Sequence, residues 1–176
     1  LIEPIQLELH PGELVFLSGP SGAGKSLLLR AIADLDPNEG EVWLDDQARS
    51  AICAPDWRRQ VGLLPAESGW WSTQVGEHFP QRPRTLSQAS GTESSEADWL
   101  SWLQVLGFEP EVLDWEVARL STGERQLLAM ARALAARPDL VVLDEATASV
   151  DSATEAAIEE ATARLLDGRS ALVVAH

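Results

Sequence analysis

Basic residues are scarce in this sequence, and their scarcity disfavours several classes of function. The 176 residues include 13 Lys and Arg against 28 Asp and Glu, which gives a formal net charge of −15. An acidic surface of this kind repels phosphate backbones and anionic headgroups, so broad nucleic-acid binding is disfavoured. The single cysteine, Cys53, excludes an internal disulfide and favours a reducing compartment such as the cytosol.

Long hydrophobic runs are missing as well. No apolar stretch approaches the ~20 residues of a membrane-spanning helix, and the N-terminus has no basic-then-apolar signal pattern. Any membrane connection is therefore expected to run through a partner. Apolar residues still make up 45% of the chain, enough for a globular domain with a core and a small attached lobe. The start at Leu1 and the end at His176, directly after an apolar run, favour a fragment.

Apolar segments typical of strands alternate with segments typical of helices, and this order predicts a mostly parallel α/β core. The predicted strands are 13–19, 40–46, 60–65, 139–146 and 170–176, and the predicted helices are 25–35, 99–108, 123–136 and 152–168. The stretch 81–98 is rich in Ser, Thr, Gly and Pro and predicts a loop, and WRR (57–59) predicts a solvated turn.

A glycine-rich loop separates the first predicted strand from the first predicted helix. Its sequence GPSGAGKS (19–26) satisfies G-x-x-x-x-G-K-[ST], in which glycines let successive N–H groups point at phosphate oxygens. Lys25 would reach the β- and γ-phosphates of a nucleotide, and the Ser26 hydroxyl would ligate Mg²⁺. The flanking strand and helix disfavour the alternative, a plain turn with a surface lysine. The predicted nucleotide-binding residues are Gly19, Pro20, Ser21, Gly22, Ala23, Gly24, Lys25 and Ser26.

Two carboxylates, Asp144 and Glu145, stand at the end of the buried predicted strand 139–146. Both lie near the strand's C-terminal tip, which is the edge where open α/β sheets bind ligands. Asp144 is predicted to hold Mg²⁺ or its water, and Glu145 to polarise the water that attacks the γ-phosphate. A solvated acidic turn is the alternative.

A third motif, LSTGERQ (120–126), lies at the start of the helix predicted at 123–136. Ser121 offers a hydroxyl, and the residues from Gly123 onwards offer exposed N–H groups that attract anions. Alone, the motif is equally well explained as a good helix cap.

Together, GPSGAGKS, LSTGERQ, LVVLDEA (140–146), ASVD (148–151) and the terminal His176 resemble the motifs of the ATP-binding cassette (ABC) ATPases in order and approximate spacing. LSTGE resembles the family's LSGGQ motif, with Thr and Glu as departures. The resemblance implies a P-loop NTPase core, α/β with a mainly parallel sheet, a small antiparallel N-terminal portion and an inserted helical subdomain. Residues 1–67 and 138–176 would form the core, and 68–137 the helical subdomain carrying LSTGE.

The resemblance also implies that two cassettes pair head to tail. Ser121 and Gly123 would then contact ATP held by the other cassette, and Asp151 would help to form the site. His176 would contact the γ-phosphate and water, although a polar residue ending a strand is the alternative. The implied catalytic residues are Glu145, His176 and Lys25.

The family glutamine after the strand 60–65 is expected at Ala66, where this chain has no polar side chain. Glu67, one residue along, is predicted to ligate Mg²⁺ in its place together with Ser26 and Asp144. Plain loss of the contact is the equally weighted alternative.

The implied activity is Mg²⁺-dependent ATP hydrolysis that powers transport by a membrane subunit, with the cassette at the cytoplasmic face of the membrane. One rival is an ABC-type ATPase of DNA maintenance or translation, which the acidic balance and the short middle segment disfavour. A second is a non-enzymatic ATP sensor. Core packing is expected for the clustered tryptophans, with a docking groove at Trp70 and Trp71 as the alternative.

Overall fold

The computed structural model describes residues 5–79, 100, 103–144 and 169–174. Within these ranges the helices and strands are β1 (Leu14–Leu17), α1 (Lys25–Ile32), β2 (Trp43–Leu44), β3 (Gln47–Ala48), α2 (Ala54–Gln60), β4 (Val61–Leu64), α3 (Thr122–Ala135), β5 (Leu140–Asp144) and β6 (Ser170–Val174). Short 3₁₀ helices cover Arg49–Ala51, Val75–His78, Pro110–Asp114 and Val117–Arg119. The predicted loop 81–98 and helix 152–168 lie outside the described residues.

The chain divides by its internal contacts into two compact units. The described residues of the first are 5–66, 137–144 and 169–174, and those of the second are 67–79, 100 and 103–136.

In the described part of the first unit, four strands form a sheet in the order β1-β6-β5-β4, and every neighbouring pair in it is parallel. Val142 of β5 lies between Leu63 of β4 and Leu172 of β6, and Asp144 pairs with Val174 at the carboxyl edge. The apolar run of β5 suits a strand with a neighbour on each side and both faces covered. The parallel α/β core predicted from the alternating segments is confirmed.

The core of the first unit joins both helices to the sheet. Leu29 of α1, Trp57 of α2 and Leu172 of β6 are all fully buried in one cluster. Burial of each such side chain contributes about 1.5–3 kcal/mol. The remaining buried members are Ala33, Val61, Val142 and Val174.

The predicted solvated turn at 57–59 is wrong, because these residues lie inside α2. Pro55 occupies the first turn, where its missing N–H has no helical partner to lose. The Trp57 indole is buried, and its Nε1–H donates to the Ile32 carbonyl at 2.9 Å. The two arginines that follow are exposed, which gave the stretch its polar character.

The predicted strand 40–46 is in fact half of a short hairpin. Trp43 pairs with Ala48 and Leu44 with Gln47 in an antiparallel ribbon. The two-residue turn between them has Asp45 in the left-handed region, at φ 50°. Strands of two residues are too short for an alternating pattern, so β3 was missed. The small antiparallel portion expected near the N-terminus is confirmed.

The described part of the second unit contains α3, short 3₁₀ turns and a few further helical residues. The first residues of α3 agree with the predicted helix 123–136 to within one position. Of the predicted helix 99–108, the described residues 100 and 103–105 are helical, and the chain turns at Gly107, whose φ is 82°. An isolated antiparallel bridge joins Gln74 to Glu116. The buried apolar side chains include Val75, Leu103, Leu106, Val112, Leu120, Leu128, Met130 and Leu134.

Candidate functional site

The loop between β1 and α1 curls through backbone conformations that favour glycine. Gly22 has φ 78° and Gly24 has φ 90°, both in the left-handed region that costs other residues about 1–2 kcal/mol. The Ala23 N–H donates to the Pro20 carbonyl at 3.2 Å and closes the turn. Helix α1 begins directly after Gly24, so the positive end of its dipole adjoins the loop.

Lys25, the first residue of α1, folds its amine back into this loop. Its Nζ donates to the carbonyls of Gly19 at 2.8 Å and Pro20 at 3.2 Å, and the residue is 9% exposed. Within the described residues no carboxylate lies at ion-pair distance from it. The positive charge is therefore held in a buried position by neutral groups and is not compensated by a carboxylate there, which favours the binding of an anion.

Ser26 and Asp144 meet although 118 positions separate them in the sequence. The Ser26 hydroxyl donates to Asp144 Oδ1 at 3.0 Å, and Asp144 is 7% exposed at the end of β5. Mg²⁺ in proteins is commonly bound by one or two carboxylates together with substrate phosphates, so this pair of oxygen donors fits that ion. Nowhere in the ranges described do three acidic, histidine or cysteine side chains form a metal-binding group.

The first turn of α3 is closed by a reciprocal capping box. The Glu124 N–H donates to Ser121 Oγ at 3.2 Å, and the Ser121 N–H donates to Glu124 Oε2 at 2.7 Å. The bond from the Ser121 main-chain N–H, and then that from its hydroxyl, lowers the pKa of Glu124 below its ordinary value. Sequence reasoning missed Glu124, although Ser-x-x-Glu before an apolar run is the signature of a capping box.

The chain after β4 leaves the first unit at Ala66 and enters the second at Glu67, and both residues are exposed. The next residue, Ser68, donates its hydroxyl proton to Gln126 Oε1 on α3 at 2.8 Å. Gln126 is 6% exposed, so this contact lies in the interior of the second unit. Ala66 has no polar side-chain atom, as the sequence already indicated.

Two adjacent tryptophans lie against an arginine of α3. The Arg132 guanidinium carbon is 5.0 Å from the ring centre of Trp70 and 4.9 Å from that of Trp71. Arg132 Nη1 also donates to the Gly69 carbonyl at 3.0 Å. Trp71 is 70% exposed, so the expectation of core packing is wrong for this residue. Sequence spacing gave no signal for Arg132.

His78 is buried behind the same tryptophans. Its Nε2 accepts the main-chain N–H groups of Trp71 at 2.9 Å and Ser72 at 3.0 Å. Its Nδ1 lies 3.0 Å from the Gln74 carbonyl, so Nδ1 is the nitrogen that donates in this arrangement. The histidine therefore connects the main chain at Trp71 and Ser72 to that at Gln74.

Three of the predicted site residues, Glu145, Asp151 and His176, lie outside the described residues. Gly123 lies in the first turn of α3. Among the predicted site residues that are described, Lys25 donates to carbonyls of its own loop, and Ser26 donates to Asp144.

Residues 2–148 match the protein family described as ABC transporter. The chain belongs to this family. The resemblance to ABC ATPases that the motifs suggested is confirmed, and the chain has the fold of an ABC ATPase cassette. Within the described ranges, no helix of this ABC cassette is long and apolar enough to cross a membrane.

A multidrug resistance ABC transporter ATP-binding and permease protein of Lactococcus lactis is 32% identical over 190 residues, covering 100% of this chain and 30% of that protein. The ABC cassette thus spans less than a third of the length of curated relatives such as this one.

Two solved structures share the fold. A bacterial Atm1-family ABC exporter with ATP bound is 27% identical with a TM-score of 0.78, over 99% of this chain and 31% of that one. A dimeric ATP-binding cassette in a post-hydrolysis state, bound to ADP and Pi, is 27% identical with a TM-score of 0.80, over 99% and 79%.

Proposed function

We propose that this chain is the nucleotide-binding cassette of an ABC transporter and hydrolyses ATP with Mg²⁺ to power transport through a membrane partner. The observation that carries the proposal is the 3.0 Å contact of Ser26 with Asp144. It joins the phosphate loop to the carboxyl edge of β5, where an ATPase needs its metal ligands. Family membership supports ATP as the nucleotide.

The phosphate loop supplies the binding step. Its N–H groups and the α1 dipole receive the phosphate oxygens, and the Lys25 amine exchanges its two carbonyl partners for the β- and γ-phosphates. Gly19, Pro20, Ser21, Gly22, Ala23 and Gly24 form the rest of the cradle. Because the amine is already desolvated, its attraction for phosphate is weakly screened.

Ser26 and Asp144 would hold Mg²⁺, which when bound would act as a Lewis acid and polarise the phosphoryl oxygens. Glu145, the residue after Asp144, is proposed to accept a proton from the attacking water, and His176 to contact the γ-phosphate and that water. Both assignments rest on motif position in the sequence.

Glu67 is proposed as a further oxygen ligand, because it stands one residue beyond Ala66, where the family has glutamine. Glu67 is exposed, so its carboxylate is accessible to a metal ion. If it ligates the metal, Glu67→Ala raises the Mg²⁺ concentration needed for half-maximal hydrolysis, and an unchanged requirement leaves Ala66 as a plain loss.

Two cassettes are proposed to pair head to tail around two ATP molecules. Ser121 and Gly123 at the start of α3 would contact ATP held by the other cassette, with Asp151 completing the site. The second unit would be the helical subdomain, with proposed boundaries at 68 and 137. The dimeric state of the related cassette bound to ADP and Pi supports dimerisation.

The membrane partner is proposed because the matched relative from Lactococcus lactis is named as an ATP-binding and permease protein. The cassette would then lie at the cytoplasmic face of the membrane. A net charge of −15 supports a protein partner over nucleic acid.

The proposal is tested by measuring ATP hydrolysis against Mg²⁺ concentration, for the wild type and for Glu145→Gln, with and without reconstituted membrane partner. Hydrolysis that requires Mg²⁺ and falls by at least 100-fold in Glu145→Gln is expected. A wild type without turnover in both settings contradicts the enzyme. Stimulation by DNA or ribosomes, with none by the membrane partner, contradicts transport.

A further inference from the structure

The loop of residues 67–72, called here the 67–72 loop, is attached to α3 at two points. The Ser68 hydroxyl donates to Gln126 Oε1 at 2.8 Å. Arg132, six positions further along α3, donates from Nη1 to the Gly69 carbonyl at 3.0 Å. Gln126 and Arg132 stand almost two helical turns apart, so the loop is attached along the helix rather than at one point.

The Arg132 contact combines three interactions in one side chain. The planar guanidinium lies within 5.0 Å of the ring centres of Trp70 and Trp71 while it donates to Gly69. Burial lowers the pKa of Arg132, although a guanidinium remains charged in proteins. A lysine can supply the charge, but it has no planar fork that stacks on indole and donates sideways at the same time.

His78 fixes the far end of the same loop. Its Nε2 accepts the N–H groups of Trp71 and Ser72, and its ring centre lies 4.4 Å from that of Trp71. The Ser72 hydroxyl also donates to Glu77. The loop is therefore held at its start by Ser68, in its middle by Arg132 and at its end by His78.

We propose that Arg132 is a positioning residue that fixes the 67–72 loop, and with it Glu67, to the helix whose first turn carries Ser121 and Gly123. Glu67 thereby keeps a fixed position relative to Ser121 and Gly123 within the second unit. Glu67 is the proposed metal ligand, and Ser121 and Gly123 are proposed to contact the ATP of the second cassette. The inference rests on the proposed function for the roles of Glu67 and Ser121, while the attachment of the loop stands on its own contacts.

Hydrogen exchange tests the attachment without any need for activity. The reporters are the Trp71 and Ser72 amides in the full chain, compared between the wild type and Arg132→Lys. Exchange of both amides is expected to rise about 10-fold in Arg132→Lys, with helical amides of α3 unchanged. Arg119→Lys is the matched control, because Arg119 stacks on Trp115 at 4.7 Å and is expected to leave these amides unchanged.

The Mg²⁺ dependence of hydrolysis tests the positioning role. Arg132→Lys should raise the half-saturating Mg²⁺ concentration about 10-fold, as loss of residues that orient metal ligands does, with Arg119→Lys unchanged. Unchanged exchange in folded Arg132→Lys overturns the attachment. Faster exchange with an unchanged Mg²⁺ requirement overturns the positioning of Glu67. A wild type that never hydrolyses ATP contradicts the proposed function instead, and the exchange result still decides the attachment.

Discussion

The phosphate loop (19–26) and the 67–72 loop are held in place by two different kinds of contact. The phosphate loop is shaped by its own backbone, with left-handed glycines and a lysine amine turned onto carbonyls a few residues away. The 67–72 loop is held by side chains far along the sequence, on α3 and at His78. A loop shaped by its own backbone suits a phosphate site, because its N–H groups must stay free for the ligand. A loop held by side chains of a distant helix moves together with that helix.

The largest expected effect falls on the phosphate loop. Lys25→Ala removes the buried cation and should lower the rate of ATP hydrolysis by about 100- to 1000-fold, as removal of a group that stabilises developing charge does. Arg59→Ala is the control, because Arg59 lies on α2 in an exposed pair with Asp56. Steady-state ATPase assays should show less than about a twofold change for this control. Equal losses in the two variants would mean that the site is not centred on Lys25.

Glycine is expected to be required for different reasons in the two parts of the molecule, for space in the second unit and for backbone conformation in the phosphate loop. In the second unit, a Cβ at Gly76 would meet the Leu113 carbonyl oxygen at 2.8 Å. Gly76→Ala should therefore lower the free energy of unfolding by about 1–3 kcal/mol, measured by urea denaturation. A Cβ at Gly69 meets nothing within 4 Å, so Gly69→Ala should change it by less than about 0.5 kcal/mol. Similar losses of unfolding free energy in the two variants would show that the space between Gly76 and Leu113 does not require glycine.

In the phosphate loop the constraint on glycine is conformational. A Cβ at Gly22 meets nothing within 4 Å, but its φ of 78° strains any other residue. Gly22→Ala should cost about 1–2 kcal/mol of unfolding free energy. Gly40→Ala, where the nearest atom is 3.7 Å away and φ is not positive, should stay within about 0.5 kcal/mol in the same denaturation experiment. A cost for Gly22→Ala no larger than for Gly40→Ala would contradict the strain.

The smallest predicted effect concerns the charge at the start of α3. Glu124 has a lowered pKa in the folded state, so its charge stabilises the fold above the unfolded value of about 4.3 and ceases to do so as pH falls through the lower folded value. Glu124→Gln keeps a capping side chain and should cost about 0.3–1 kcal/mol at pH 7, with the difference vanishing in acid. Thermal unfolding at several pH values measures it. A difference that grows in acid would reverse the assigned sign.

The same contrast explains what the sequence could predict. The phosphate loop was predictable because GPSGAGKS specifies its own backbone, and the run LVVLD predicted a buried parallel strand. The contact of Ser26 with Asp144 followed from topology, since β1, which leads into the loop, and β5 both end at the carboxyl edge of one sheet. The two motifs GPSGAGKS and LVVLD are each contained in fewer than ten consecutive residues.

The remaining features depend on contacts that no short segment contains. Trp57 is surrounded by charged neighbours in sequence, and its burial is decided by α1 and the sheet. Arg132 lies about 60 residues from Trp70 and Trp71, and nothing in its helix distinguishes it from other arginines. The β2–β3 hairpin is too short for any periodic pattern. Side-chain attachment over long separations is a tertiary property, so local propensity and periodicity do not predict it.

The contact of Ser26 with Asp144 carries the account, and Asp144→Asn tests it most directly. ATP hydrolysis is measured against Mg²⁺ concentration for the wild type and this variant, with ATP binding measured in chelator as a check on the fold. The account predicts a loss of Mg²⁺-dependent hydrolysis of about 100-fold or more, with Mg²⁺-free ATP binding retained. Hydrolysis by Asp144→Asn at the wild-type rate and with the wild-type Mg²⁺ requirement would contradict it.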